Sequence, residues 1–186
     1  MTFAAIILAA GSGSRFGIPK AQAQLNGKSF LATVASLFRD ANIQPIVVVA
    51  SPEINDWAIR EVPTCQIVCN PAPARGMVSS VICGLQALPP CEAFFFTPVD
   101  HPFVQAKTIS TMMSEFERTG TGIVKPTYRN QTGHPILLPY RAQTLLMECD
   151  LAMPLNEVIL SSSIPVWRIE VDDPGIVKNV NTLDDL

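Results

Sequence analysis

A chain of 186 residues with 48% apolar and only 16% charged side chains is long enough to bury a core within one domain and too apolar to stay disordered. Its formal net charge of −3 excludes a general nucleic-acid surface, which needs clustered lysine and arginine, but leaves room for a small anionic ligand held by a few local cations. Five cysteines (Cys65, Cys69, Cys83, Cys91, Cys149), no CxxC pair and two histidines suit neither a disulfide frame nor a zinc site. The thiols are therefore expected in the core.

Residues 3–10 form an unbroken apolar run, and the first cation is Arg15. Eight residues fall far short of the roughly 20 that span a membrane. The run reads as a buried strand of a cytoplasmic protein with no membrane partner. Residues 30–41 carry helical spacing, 45–49 and 66–69 are short strand-like runs, and 78–88 is helical again. The run 93–97 is apolar and aromatic, 106–118 is helical, 122–126 strand-like, 142–148 helical and 165–171 strand-like. Residues 135–138 add a short strand, expected to be antiparallel. With no repeat or linker, this alternation predicts a single domain over 1–186, a three-layer α/β/α sandwich with a mainly parallel mixed sheet. Ligands of such sheets sit beyond the carboxyl ends of the strands, which directs attention to the segments after Leu8, Cys69 and Thr97.

After Leu8 comes Ala9-Ala10-Gly11-Ser12-Gly13-Ser14-Arg15-Phe16-Gly17-Ile18-Pro19-Lys20. Its glycines let backbone N–H groups approach a polyanion, Arg15 can fork two phosphate oxygens, and Lys20 adds a compact charge. The GxGxxxG spacing is not that of a dinucleotide fold, and no GKS or GKT ending marks a Walker loop. A glycine-rich surface turn is the plainer alternative. After Cys69, Asn70-Pro71-Ala72-Pro73-Ala74-Arg75-Gly76 feeds a helix that begins near Met77. Ser79 and Ser80 fall in its first turn, either meeting a polar ligand edge or merely capping. After Thr97, Pro98-Val99-Asp100-His101-Pro102 places a carboxylate at a strand exit, a position for a Mg²⁺ ligand or for an ordinary cap. His101 reads as structural or solvent-facing. Gln131-Thr132-Gly133-His134-Pro135 is a turn in which Gly133 permits close backbone approach and His134 can donate to an anion, although a plain hairpin explains it nearly as well. Near the end, Asn181 offers a neutral oxygen that would complete a Mg²⁺ site with Asp100, although Asn179 and Asn181 also read as plain turn residues, and Thr182 with Asp185 resembles a capping box.

These segments together resemble a known family. Leu8–Lys20 resembles the LAAGxSxRxGxxK signature of the nucleotidyltransferases similar to molybdenum cofactor cytidylyltransferase and guanylyltransferase. Residues 70–84 resemble that family's NPxxxxGMxxS segment, 99–102 its DxP motif, 133–135 its GHP turn and 179–186 its terminal (D/N)x(D/N)TxxDL, in the same order along nearly the whole chain. The resemblance implies a glycosyltransferase-A-like nucleotidyltransferase fold whose glycine-rich loop, Ser12 and Gly13 included, wraps a nucleoside triphosphate. Arg15 and Lys20 would hold phosphates as catalytic cations, and Ala9, Ala10, Gly11 and Ser80 would contact base and sugar. Asp100 and Asn181 would hold Mg²⁺, and Gly133 with His134 would face the acceptor.

The implied activity is transfer of a nucleoside monophosphate onto a phosphorylated small molecule, molybdopterin among the candidates, with release of pyrophosphate. Ala9-Ala10-Gly11 resembles the cytidylyl enzymes, whereas the guanylyl enzymes read LAGG there, so CTP is favoured. Asn179-Val180-Asn181-Thr182 is closer to the guanylyl pattern, and Asn130 and Thr132 stand where the family usually has Gly and Arg. The rivals are transfer to isoprenoid or sugar phosphates and a non-catalytic nucleotide-binding accessory protein. An NAD-dependent oxidoreductase is disfavoured by the loop spacing.

Overall fold

The computed structural model describes residues 1–11, 17–150, 153–182 and 185. Strand β1 (Phe3–Leu8) is buried at every position, because it lies at the middle of a sheet covered on both faces. The chain then forms a small hairpin, β2 (Gln24–Leu25) and β3 (Lys28–Ser29), followed by α1 (Phe30–Asp40), β4 (Ile46–Ala50), α2 (Asn55–Glu61), β5 (Gln66–Cys69) and α3 (Met77–Ala87). There follow β6 (Ala93–Pro98), α4 (Ala106–Thr119), β7 (Ile123–Tyr128), β8 (Gln131–Thr132), β9 (Ile136–Pro139), α5 (Ala142–Glu148), α6 (Leu155–Leu160) and β10 (Val166–Glu170).

The eight-stranded sheet runs β10-β7-β9-β6-β1-β4-β5, with β8 paired to β7. Strand β1 pairs in parallel with β4 and β6, β4 with β5, and β7 with β10. Strand β9 alone reverses along this path, pairing antiparallel with both β6 and β7. The expectation of a mainly parallel mixed sheet therefore holds, with the reversed strand where residues 135–138 had suggested one. The carboxyl ends of β1, β4, β5 and β6 consequently share one edge.

Side-chain alternation splits the core into two layers. Phe95, Ile7 and Val48 pack with Leu31, Val34 and Phe38 of α1 and Ile109, Met112 and Phe116 of α4. Phe94, Phe96, Ile6 and Val49 pack on the other face with Val81 and Leu85 of α3, Leu146 of α5 and Val158 of α6. Each such buried side chain contributes roughly 1.5–3 kcal/mol. Helix α1 starts where the Ser29 Oγ accepts the Ala32 N–H at 3.0 Å, a favourable N-cap.

Most predicted elements appear with ends shifted by a residue or two. The cysteine expectation is corrected: Cys69 is exposed, and Cys65, Cys83, Cys91 and Cys149 are half-buried, lying at the rims of the two cores rather than inside them. Among the described residues, no helix is long and apolar enough to cross a membrane.

Candidate active site

The exits of β1, β5 and β6 and the carboxyl-terminal tail surround a cleft of about 640 Å³. Leu8, Ala10 and Gly11 form its floor beyond β1, and Pro73, Ala74, Gly76, Met77 and Ser80 form one wall. Lys20, Asp100 and Asn181 close the other side. Gly76 has φ of 93°, a conformation that favours glycine, and so lets the β5–α3 connection turn tightly into the helix.

Lys20 stands on a short 3₁₀ turn, Lys20–Gln22. Its Nζ donates to Asp100 Oδ2 at 2.8 Å and to Asn181 Oδ1 at 2.7 Å. Asp100 Oδ1 lies 3.0 Å from the Nδ1 of His101. Burial alone would raise the Asp100 carboxyl, but the hydrogen bonds and charges of His101 and Lys20 outweigh it and bring its pKa down to about 2. The carboxylate is therefore ionised throughout the neutral range.

Asn181 is placed by the tail's own hydrogen bonds. The Asp185 carboxylate accepts from the N–H groups of Asn181 and Thr182 at 2.9 and 2.8 Å and from Thr182 Oγ1 at 3.0 Å. The Val180 N–H donates to the Asp100 carbonyl at 2.9 Å, pinning the tail to the exit of β6. Asn181 thereby turns into the cleft while Asn179 faces solvent.

A carboxylate oxygen and a neutral amide oxygen thus point at one position, with the Lys20 ammonium as the cation between them. Mg²⁺ takes hard oxygen donors of this kind, one or two from protein and the rest from phosphate and water. The donor set fits that ion.

The site was only partly foreseen. Lys20, Asp100 and Asn181 converge as expected, and Ala10, Gly11 and Ser80 line the same cleft. Ala9 is 1% exposed and belongs to the core behind the loop, so it does not line the cleft. Ser12, Gly13 and Arg15 lie outside the described residues. Gly133 and His134 also stand away from the cleft lining. The close approach at Gly133 is to the chain itself, since a Cβ there would come within 2.1 Å of the Ile176 carbonyl oxygen. His101, 8% exposed, is structural rather than solvent-facing.

Residues 5–163 match the MobA-like NTP transferase domain. The chain belongs to that family of nucleotidyltransferases. Among curated proteins it is 32% identical, over 123 residues, to the bifunctional enzyme IspD/IspF of Desulforudis audaxviator (strain MP104C). That match covers 62% of this chain and 31% of the relative. Among solved structures, Rv0371c of Mycobacterium tuberculosis H37Rv superposes with a TM-score of 0.85 at 21% identity, over 100% of this chain and 95% of that one. The molybdopterin-guanine dinucleotide biosynthesis protein A of Archaeoglobus fulgidus gives 0.73 at 19% identity, over 97% and 93%. At these identities the likeness is one of fold.

In this MobA-like chain the sequence reading named Asn70 only as the start of a motif and gave it no role. It is 1% exposed, and its Nδ2 donates to Ser79 Oγ at 3.0 Å and Ser80 Oγ at 2.9 Å. Its place at the strand exit directly before Pro71 was the available signal.

A second missed pair is the packing of His101 against His134, whose rings stand 4.9 Å apart at 63°. Among the described residues the buried Nδ1 of His134 has no hydrogen-bond partner. Burial above all, then the neighbouring His101, lowers its pKa from 6.5 to about 3, with Asp100 and the Phe96 carbonyl offsetting a part. The folded chain thus refuses a proton that the unfolded chain accepts. Stability is full above pH 6.5 and falls with pH by up to about 1.4 kcal/mol per unit. Between pH 6.5 and 5 the loss should be about 2 kcal/mol. Urea unfolding at several pH values in this window should show a flatter slope for His134→Gln, and an unchanged slope would refute the assignment.

Proposed function

We propose that this protein moves a nucleoside monophosphate, CMP from CTP in preference to GMP from GTP, onto the phosphate of a small-molecule acceptor and releases pyrophosphate. The observation that carries the reading is the meeting of Lys20, Asp100 and Asn181 beside a cleft of nucleotide size. Ala10 supports CTP, because its methyl group occupies cleft floor that glycine would leave to a larger base.

Lys20 neutralises charge on the triphosphate, together with Arg15 from the glycine-rich loop, and Ser12 and Gly13 bring backbone N–H groups to the same phosphates. Gly11, Ala10 and Ser80 border the base and sugar. Mg²⁺ held by Asp100 and Asn181 would act as a Lewis acid on phosphate oxygens, and the manganese complex of mycobacterial Rv0371c supports a divalent ion in this fold. The acceptor phosphate is already ionised near pH 7, so it attacks without a strong general base. Among the described residues no histidine lines the cleft, which suits that chemistry. Molybdopterin is one candidate acceptor, and isoprenoid and sugar phosphates are the others.

Thermal unfolding with CTP, GTP, ATP and UTP, each with and without Mg²⁺, tests the reading. A nucleotide at a hundred times its Kd stabilises by about 2.7 kcal/mol, so CTP with Mg²⁺ should give the largest shift. Pyrophosphate release with molybdopterin, methylerythritol phosphate or a sugar phosphate then ranks the acceptors. Nucleotide binding indifferent to Mg²⁺, with no pyrophosphate released from any acceptor, would overturn the proposal.

A further inference from the structure

Ser80, 6% exposed, lines the cleft wall, and the residue behind it constrains its hydroxyl. Asn70 is buried to 1% exposure, and its Oδ1 accepts the Ala72 N–H at 2.9 Å. That bond fixes the orientation of the amide, since flipping it would set an NH₂ group against an N–H. The Nδ2 must therefore face Ser79 and Ser80, donating to both hydroxyl oxygens at 3.0 and 2.9 Å. Ser79 spends its own proton on the Gly76 carbonyl at 2.7 Å. Ser80 has no such outlet among the described residues. A hydroxyl holds one proton and two lone pairs. With one lone pair of Ser80 taken by Asn70, the O–H cannot point at Asn70 and is left free to turn toward the cleft that Ser80 lines.

Resting on the nucleotide-binding reading above, we propose that Asn70 is a positioning residue that holds Ser80 as a hydrogen-bond donor, so that the base subsite selects a nucleobase presenting an acceptor atom, such as a ring carbonyl, at that point. Nothing in this network touches the triphosphate arm formed by Lys20, Asp100 and Asn181. It therefore governs affinity for the base separately from affinity for the phosphates.

The test compares the binding of CTP, GTP and inorganic tripolyphosphate, each with Mg²⁺, to the whole chain by calorimetry. Asn70→Asp replaces the donor with an acceptor. The hydroxyl of Ser80 then gives its proton to the carboxylate and shows only lone pairs to the cleft. This variant should bind the preferred nucleotide about tenfold more weakly. Tripolyphosphate, which lacks a base, should bind within about twofold of wild type, as expected for a distant site. Ser80→Ala should weaken the nucleotide in the same selective way, and adding Asn70→Asp to it should cost little more, because both act through one hydroxyl. Should the buried carboxylate prevent folding, Asn70→Ala and Ser80→Ala carry the comparison, with Asn70→Ala expected to fall between wild type and Ser80→Ala. Equal losses on nucleotide and tripolyphosphate, or a nucleotide affinity unchanged in the variants, would overturn the role of Asn70. Failure of the wild type to bind either nucleotide would instead overturn the underlying reading, and this inference with it.

Discussion

Replacing Asp100 with asparagine is expected to slow nucleotidyl transfer by about 10²–10³ while leaving the chain folded, on the scale seen when one charge-stabilising group is lost from an active site. The side chain keeps its shape and loses its charge. Oδ2 then no longer offers the Lys20 ammonium a full negative partner at 2.8 Å, and the pair with Asn181 becomes two neutral oxygens. Such a site holds a divalent cation weakly. Without metal, the nucleotide should bind at least as well as to wild type, because one negative charge facing the triphosphate is gone. The combination is diagnostic: a lower rate, a lost Mg²⁺ dependence of nucleotide affinity, and an undiminished metal-free affinity. Pyrophosphate release and calorimetry at several Mg²⁺ concentrations measure all three, and a near-wild-type rate in a folded variant would refute the assignment. The same residue adds a pH signature. Its folded-state pKa of about 2 lies below the ordinary 3.8, so its stabilisation is present above about pH 4 and disappears as pH falls toward 2. Asp100→Asn should remove that acid limb.

The strands were legible because burial on both faces leaves an unmistakable trace. Phe3–Leu8 and Ala93–Pro98 are unbroken apolar runs, and such runs suit central parallel strands. Strand β10 was legible for a different reason, its β-branched and aromatic content at the sheet edge. The hairpin at 24–29 was overlooked, although Asn26-Gly27 advertises it. Their φ values of 51° and 78° are those of the two-residue turn that this pair favours. Helices α2 and α6, of seven and six residues, were overlooked, although α5, also of seven, was read from its spacing; at this length two turns give periodicity little to show. The convergence at the site was foreseen because strand order fixes it: β1 and β6 are neighbours in parallel, so the residues after each must meet. What strand order does not fix is contact across the chain. Asn70 reaches Ser79 and Ser80 nine and ten residues on, and His101 meets His134 across β6 and β9. The cysteines were misjudged because general burial statistics say nothing about rim positions.

Gly133→Ala should be among the most damaging small substitutions at the described glycines. It tests whether the tail that carries Asn181 is held by backbone packing rather than by side chains. A Cβ at position 133 would come within 2.1 Å of the Ile176 oxygen and 2.5 Å of its carbonyl carbon, neither of which can rotate away as a side-chain end would. The His134 N–H donates to that same oxygen at 2.9 Å, so moving the 3₁₀ turn Pro174–Ile176 aside also breaks this bond. Ile176 and Val180 are 0% exposed, and the Val180 N–H is bonded to the Asp100 carbonyl. A displaced turn would therefore withdraw two core side chains and draw Asn181 away from Asp100. Overpacking of this kind costs about 3 kcal/mol, equivalent to a fall of roughly 6–12 °C in Tm for a domain of this size. The transfer rate should fall with it. Gly11→Ala is the contrasting case, because among the described residues a Cβ there meets nothing within 4 Å, and Gly11 lines the cleft. It should unfold like wild type in urea while binding nucleotide less tightly. If Gly133→Ala unfolded within about 0.5 kcal/mol of wild type, the size of an ordinary surface substitution, the tail would have to be held in some other way, and the placement of Asn181 beside Asp100 would lose its support.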